Sequence, residues 1–205
     1  YIRLERKVEV YKMKSAYINL SGAYGLQQSG TADYREASEI VAEMDRLGIY
    51  QTVLECIEGN NSLYRNRRLL RDMQTIPDAK RRIIPSFILD PVASIQTGAM
   101  DEILHMIRDN RPCCISLYPR ASGYRLRLAD LFLDRPELRN AVILIDINQL
   151  IAPEACDDLI ELSARYPEMR FVIRQAMYSD WPILFDIMRK AKNVYADISW
   201  MHSRE

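Results

Sequence analysis

Seven short, almost wholly apolar segments recur along the chain at a spacing of about 30 residues, separated by segments of helical periodicity. They are SAYINL (15–20), QTVLECI (51–57), RIIPSFIL (82–89), CCISLY (113–118), AVILIDI (141–147), RFVIRQ (170–175) and NVYADIS (193–199). A strand that is apolar on both faces belongs to a sheet covered on both sides, and alternation with helices makes that sheet parallel. Helices are expected over 34–48, 62–76, 98–110, 127–137 (a short helix or turn), 153–167 and 180–192. The first places Ile40, Val41, Met44 and Leu47 on one side, with Gly48 as its stop. Pro153 suits the first turn of the fifth. Pro85 lacks a backbone N–H and weakens the third strand.

Two architectures accommodate this pattern: an open doubly wound sheet and a closed barrel. No strand is followed by GxGxxG or GxxxxGK[ST], which removes the main support for a nucleotide-binding open sheet. Seven units in a row, with polar residues closing nearly every strand, favour an α/β fold of the TIM-type (β/α)8 barrel kind with the last unit missing. The barrel domain is expected over 15–205, incomplete at its C-terminal end. Residues 1–14, with LERKVEVYKM, read as an N-terminal extension carrying an extra strand.

Composition excludes several classes. Of 205 residues 48% are hydrophobic, which argues against disorder. Lys plus Arg equals Asp plus Glu at 28 each, so nothing draws the chain to nucleic acid or an anionic membrane. Arg65, Arg67, Arg68 and Arg71 read as a solvated helix face. No apolar run approaches the roughly 20 residues of a membrane span, and no signal peptide is visible. Cys56, Cys113, Cys114 and Cys156 form no CxxC pair, so a reduced, cytoplasmic protein is expected, without a disulfide framework or a zinc knuckle.

A barrel of this kind builds its site at the C-terminal ends of its strands. Those ends carry Tyr17 and Asn19, Glu55 and Glu58, Asp90, Tyr118 and Arg120, Asp146 and Asn148, Arg174 and Gln175, then Asp197, Ser199, Trp200 and His202. Arg174 and Gln175 are the most informative, because they close a strand that otherwise reads as core. The expectation is one mouth, lined by Tyr17, Asn19, Tyr118, Asp146, Arg174, Gln175 and Asp197, that takes a small molecule. Asp146, Asp197 and Arg174 are the catalytic candidates. Tyr17, Asn19, Tyr118, Arg120, Gln175, Trp200 and His202 are the candidate ligand contacts. Asp146 with Arg174 reads equally as a structural ion pair and as a ligand site. His105 reads as a helix-surface residue, and the Gly/Ser-rich stretch 21–34 as a lid or a simple loop.

Several phrases, in order, resemble the amidohydrolase-related metal-dependent hydrolases, the branch with small-acid decarboxylases and lactone hydrolases. EIVAEMDRLGIYQTVL resembles the first helix and second strand of that family, and Asn66 in YRNRRLL falls where it often has Asn. RRIIPSFILDP resembles its third strand, ISLYPRASGYRL a fourth strand of the Lys-Leu-His-Pro type, AVILIDI a fifth reading Val-Leu-Ile-His, and RFVIRQ a sixth that normally ends Gly-His. The resemblance implies a barrel with a divalent metal such as zinc, held by His-x-His on strand one, His on strands five and six, and Asp on strand eight. Here those positions read Tyr17-Ile18-Asn19, Asp146 and Gln175, with Arg174 in place of Gly and Tyr118 in place of the strand-four His. A phenol, two amides and one carboxylate beside a guanidinium are a poor zinc set. No metal or other cofactor is therefore expected. Two classes stay open: a hydrolase or lyase of small carboxylated or carbonyl substrates, and an inactive ligand-binding or interaction protein on a hydrolase scaffold, with a homo-oligomer compatible with either.

Overall fold

The computed structural model describes residues 17–25, 34–59 and 61–199. The proposed extension over 1–14, and Trp200 and His202, lie outside them. Among the described residues seven strands form one sheet in the order β1 to β7: Tyr17–Tyr24, Ile49–Cys56, Ile83–Leu89, Cys114–Leu117, Val142–Asp146, Arg170–Arg174 and Val194–Ala196. Every neighbouring pair is parallel. The sheet curls into a half-barrel with the helices outside it. Those helices are α1 (Ala37–Leu47), α2 (Ser62–Met73), α3 (Ala99–Asp109), α4 (Pro153–Arg165) and α5 (Trp181–Lys190), with shorter turns between.

Local chemistry sets the helix ends. The backbone N–H of Glu36 donates to Glu39 at 3.1 Å in a capping box at the start of α1, and Gly48 ends that helix at φ 70. Asn61 caps α2 by accepting from the N–H groups of Leu63 and Tyr64 at 2.8 and 3.2 Å. The short helix or turn expected over 127–137 is a 3-10 turn, one α turn (Asp130–Leu133) and a second 3-10 turn at Pro136. The break falls just before that proline, whose ring disfavours helix in the residue ahead of it.

Strand faces sort the core. Phe87, Leu89, Ile115, Ile143, Phe171 and Ile173 pack outward against the helices. Val53, Cys114 and Leu144, with Leu20 and Val172 against them, fill the inside. Pro85 is tolerated in mid-sheet for a local reason. The pairing of β3 with β2 ends at Leu54↔Pro85, and its pairing with β4 begins at Ser86, so the missing N–H falls at the changeover.

The first strand departs from the sequence reading. It runs four residues past Leu20, to Tyr24, so Tyr17 and Asn19 stand at its beginning, beside Ile49 and Thr52. The register also slips. Asn19 pairs with Thr52 and Gly22 with Leu54, which leaves Leu20 and Ser21 together opposite Val53. This is a β-bulge, which turns two consecutive residues toward one face and re-aims the backbone between them.

Candidate functional site

On the inner face near the C-terminal ends, four strands bring polar groups to one point. Arg174, the last residue of β6, is 1% exposed. Its Nε donates to Asp146 Oδ1 on β5 at 2.8 Å, and its Nη2 to Glu55 Oε1 on β2 at 2.9 Å. Nη2 also reaches the Tyr118 hydroxyl, just beyond β4, at 3.1 Å, and that hydroxyl donates to Glu55 Oε1 at 2.6 Å. Nη1 donates to the backbone oxygen of Leu20 at 3.2 Å, so the bulge in β1 supplies the last acceptor. One guanidinium thus ties β1, β2, β5 and β6 together across the interior. Below it, the hydroxyls of Ser86 and Ser116 pair at 2.7 Å.

Burial and charge act against each other here. Burial alone lowers the Arg174 pKa, but Glu55, Tyr118 and Asp146 outweigh it and hold the group above the ordinary arginine range. Burial, then Glu55, raises the Tyr118 phenol well above its usual value. The Cys114 thiol is pushed up to about 12, mainly by burial, and so stays neutral. Burial raises Asp146 as well; Arg174 opposes the rise and Glu55 adds to it.

The Asp146 shift has a testable sign. A carboxyl whose folded pKa is raised stabilises the fold below its unfolded pKa, about 3.9, and loses that contribution as pH climbs through the folded value. Asp146→Asn keeps the acceptor and removes the charge. It is expected to raise Tm at pH 7–8 and to match the parent near pH 4 in a thermal melt series. A Tm lowered equally at every pH contradicts this.

The other sequence candidates are dispersed. Tyr17 is 66% exposed at the start of β1, and Asn19 Oδ1 accepts from the Ser21 N–H at 3.0 Å, across the Leu20 carbonyl that meets Arg174. The structure does not bring these two to Arg174. Arg120 is exposed, donates to the Asn148 carbonyl at 3.2 Å, and faces a separate cleft of about 550 Å³ with Tyr124, Gln149 and Ile151. Asp197 accepts from the backbone and hydroxyl of Ser199 at 3.0 and 2.9 Å, closing a turn after β7. Asp90 caps the short helix Pro91–Ile95. His105 donates Nδ1–H to the Asp101 carbonyl on the surface of α3 at 2.7 Å. The arginines of α2 are not simply solvated: Arg67 pairs with Glu102, and Arg68 with Glu58 and Asp72.

Gln175 follows Arg174 at φ 57, the left-handed region that costs a residue with a Cβ. Gln175→Gly is expected to stabilise by about 0.5–1 kcal/mol, read as a higher midpoint in urea. A lower midpoint means that the amide makes a contact worth more than the strain.

The members absent from the candidate set are Glu55 and Ser21. Glu55 was visible among the strand ends, and a charge within TVLECI is as anomalous as one after FVI. Ser21 comes in only through the bulge, which the sequence does not announce.

The donors present do not fit a divalent ion. Among the described residues no group of three or more His, Cys, Asp and Glu is arranged to hold one. The two inner carboxylates already face a fixed cation between them. A divalent ion there would meet guanidinium repulsion in a low dielectric.

No family model matches the sequence, and neither does any curated protein. Solved structures do. An uncharacterized TIM-barrel protein from Bordetella bronchiseptica superposes at a TM-score of 0.60 with 15% identity, over 88% of this chain and 74% of that one. The 4-oxalomesaconate hydratase of Rhodopseudomonas palustris gives 0.62 and 14%, over 91% and 74%. The chain has a TIM-barrel fold. At these identities the likeness establishes architecture and leaves activity to the site.

Proposed function

We propose that this chain is an amidohydrolase-like barrel protein that binds a small molecule at the C-terminal mouth without a resident divalent metal. One observation carries the reading: Arg174 stands between Asp146 and Glu55, in the region where the family resemblance puts the metal. Its charge is spent on two carboxylates. It offers nothing to activate a water, and nothing to hold a substrate carboxylate. Metal-assisted hydrolysis of small carboxylated or carbonyl substrates is accordingly the weaker reading, although the hydratase among the structural neighbours keeps it in view. The four cysteines are free, and no described helix is long and apolar enough to cross a membrane.

Elemental analysis of the purified protein tests this. Zinc and manganese are expected far below one equivalent, with no rise in Tm on adding either. Near one equivalent, lost in Asp146→Ala, overturns the reading and restores a metal-dependent hydrolase.

A further inference from the structure

The interior polar cluster carries more negative charge than its guanidinium neutralises. Among the described residues, Glu55 and Asp146 face Arg174 as their one cation, with side chains no more than 8% exposed. The other described ionisable groups facing them are Tyr118 and Cys114, whose acidities burial suppresses. With both carboxylates ionised, one negative charge is left uncompensated among the described residues, on side chains largely withdrawn from water, which is costly.

The same place lacks hydrogen bonds. Glu55 Oε1 accepts from Arg174 and Tyr118, while Glu55 Oε2 is buried with no partner. Ser21 Oγ is also buried with none. The bulge sets Ser21 opposite Val53, and Ala23 pairs with Glu55. Ser21 and Glu55 therefore lie on one face of adjacent strands, and they are not bonded to each other. Native interiors seldom leave two such oxygens unsatisfied on one face of adjacent strands.

We infer that this spot binds an ammonium-type cation, either free ammonium or the terminal –NH3+ of a primary amine. Such a group is the size of a water molecule and donor-only, and both the Glu55 carboxylate oxygen and the Ser21 hydroxyl oxygen can accept from it. It also supplies the missing positive charge, which water does not. An anion meets the surplus negative charge. A divalent metal finds one carboxylate oxygen and a hydroxyl beside a guanidinium, too few ligands and the wrong neighbour. The inference names a ligand class that the metal-free reading leaves open, and elemental analysis decides that reading separately.

The test is a thermal-shift titration at pH 7 and fixed ionic strength with ammonium chloride, methylammonium chloride, tetramethylammonium chloride and sodium acetate. Ammonium is expected to give a saturable rise in Tm of roughly 3–6 °C at ten times its Kd. An equal effect of methylammonium identifies an amine terminus as the ligand, and an effect of ammonium alone identifies the free ion. Tetramethylammonium, charged but without donors, and acetate are expected to give no saturable rise. Glu55→Gln abolishes the response, and Ser21→Ala raises the Kd about tenfold. If Glu55→Gln does not fold, Ser21→Ala decides. The inference is overturned by no saturable rise in the parent protein, by an equal rise with tetramethylammonium, or by a response that Ser21→Ala leaves unchanged.

Discussion

Arg174→Met is expected to destabilise the protein by about 3–5 kcal/mol, the usual consequence of removing one partner from a buried ion pair. For a chain of this size that lowers Tm by roughly 6–20 °C. The loss is electrostatic rather than steric, because Met fills much of the arginine volume. Two carboxylates stay behind, facing each other in a closed interior, while the Leu20 carbonyl loses its donor. Arg174→Lys is not a rescue. One ammonium cannot reproduce the planar fork that reaches Asp146, Glu55, Tyr118 and the β1 backbone at once. Neutralising the partners is: in Arg174→Met/Glu55→Gln/Asp146→Asn most of the lost stability returns. Urea midpoints of the three proteins measure this. A loss below about 1 kcal/mol in Arg174→Met, or a triple variant no better than the single, refutes the account.

The strands were legible where their chemistry is monotonous. AVILIDI and RFVIRQ read as buried strands over 141–147 and 170–175, and the structure ends each one residue earlier, at Asp146 and Arg174. The pairing of those two terminal residues was open to sequence reasoning as well, because in a parallel register two charged strand ends become neighbours. β1 was illegible for a physical reason. Its second half, SGAY, is made of small and turn-forming residues whose strand character comes from pairing with β2, not from propensity. Reading that half as a loop set Tyr17 and Asn19 at the end of the strand, where the structure has its beginning, and hid Ser21 altogether. Glu55 was legible as an anomaly, but a single inward charge does not say which residue will answer it. That depends on how far the sheet curls, which no local pattern encodes.

Asn66→Ala is the second large effect, and it bears on how the sheet opens toward the mouth. Asn66 sits on α2, 1% exposed. Its Nδ2 donates to the Ile88 carbonyl at 2.9 Å, and its Oδ1 accepts the Ile88 N–H at 2.8 Å. Those two bonds are what a neighbouring strand would have provided. β2 has ceased to pair with β3 by then, since their register ends at Leu54↔Pro85, three residues before Ile88. The carboxamide is thus a one-residue substitute for β2, letting the strands part while β3 stays satisfied on both sides. Truncation strands a buried donor and a buried acceptor, at about 1–3 kcal/mol each. A total of about 2–6 kcal/mol is therefore expected in Asn66→Ala. Asn66→Leu refills the space but not the bonds and is expected to fare little better, whereas Asn66→Asp, keeping only the acceptor, still leaves the Ile88 carbonyl unpaired. Hydrogen exchange at the Ile88 amide separates this from simple cavity formation. Exchange there is expected to quicken well beyond that of Phe87 or Leu89 in Asn66→Leu, and uniform protection along β3 would mean that the side chain matters for its volume alone.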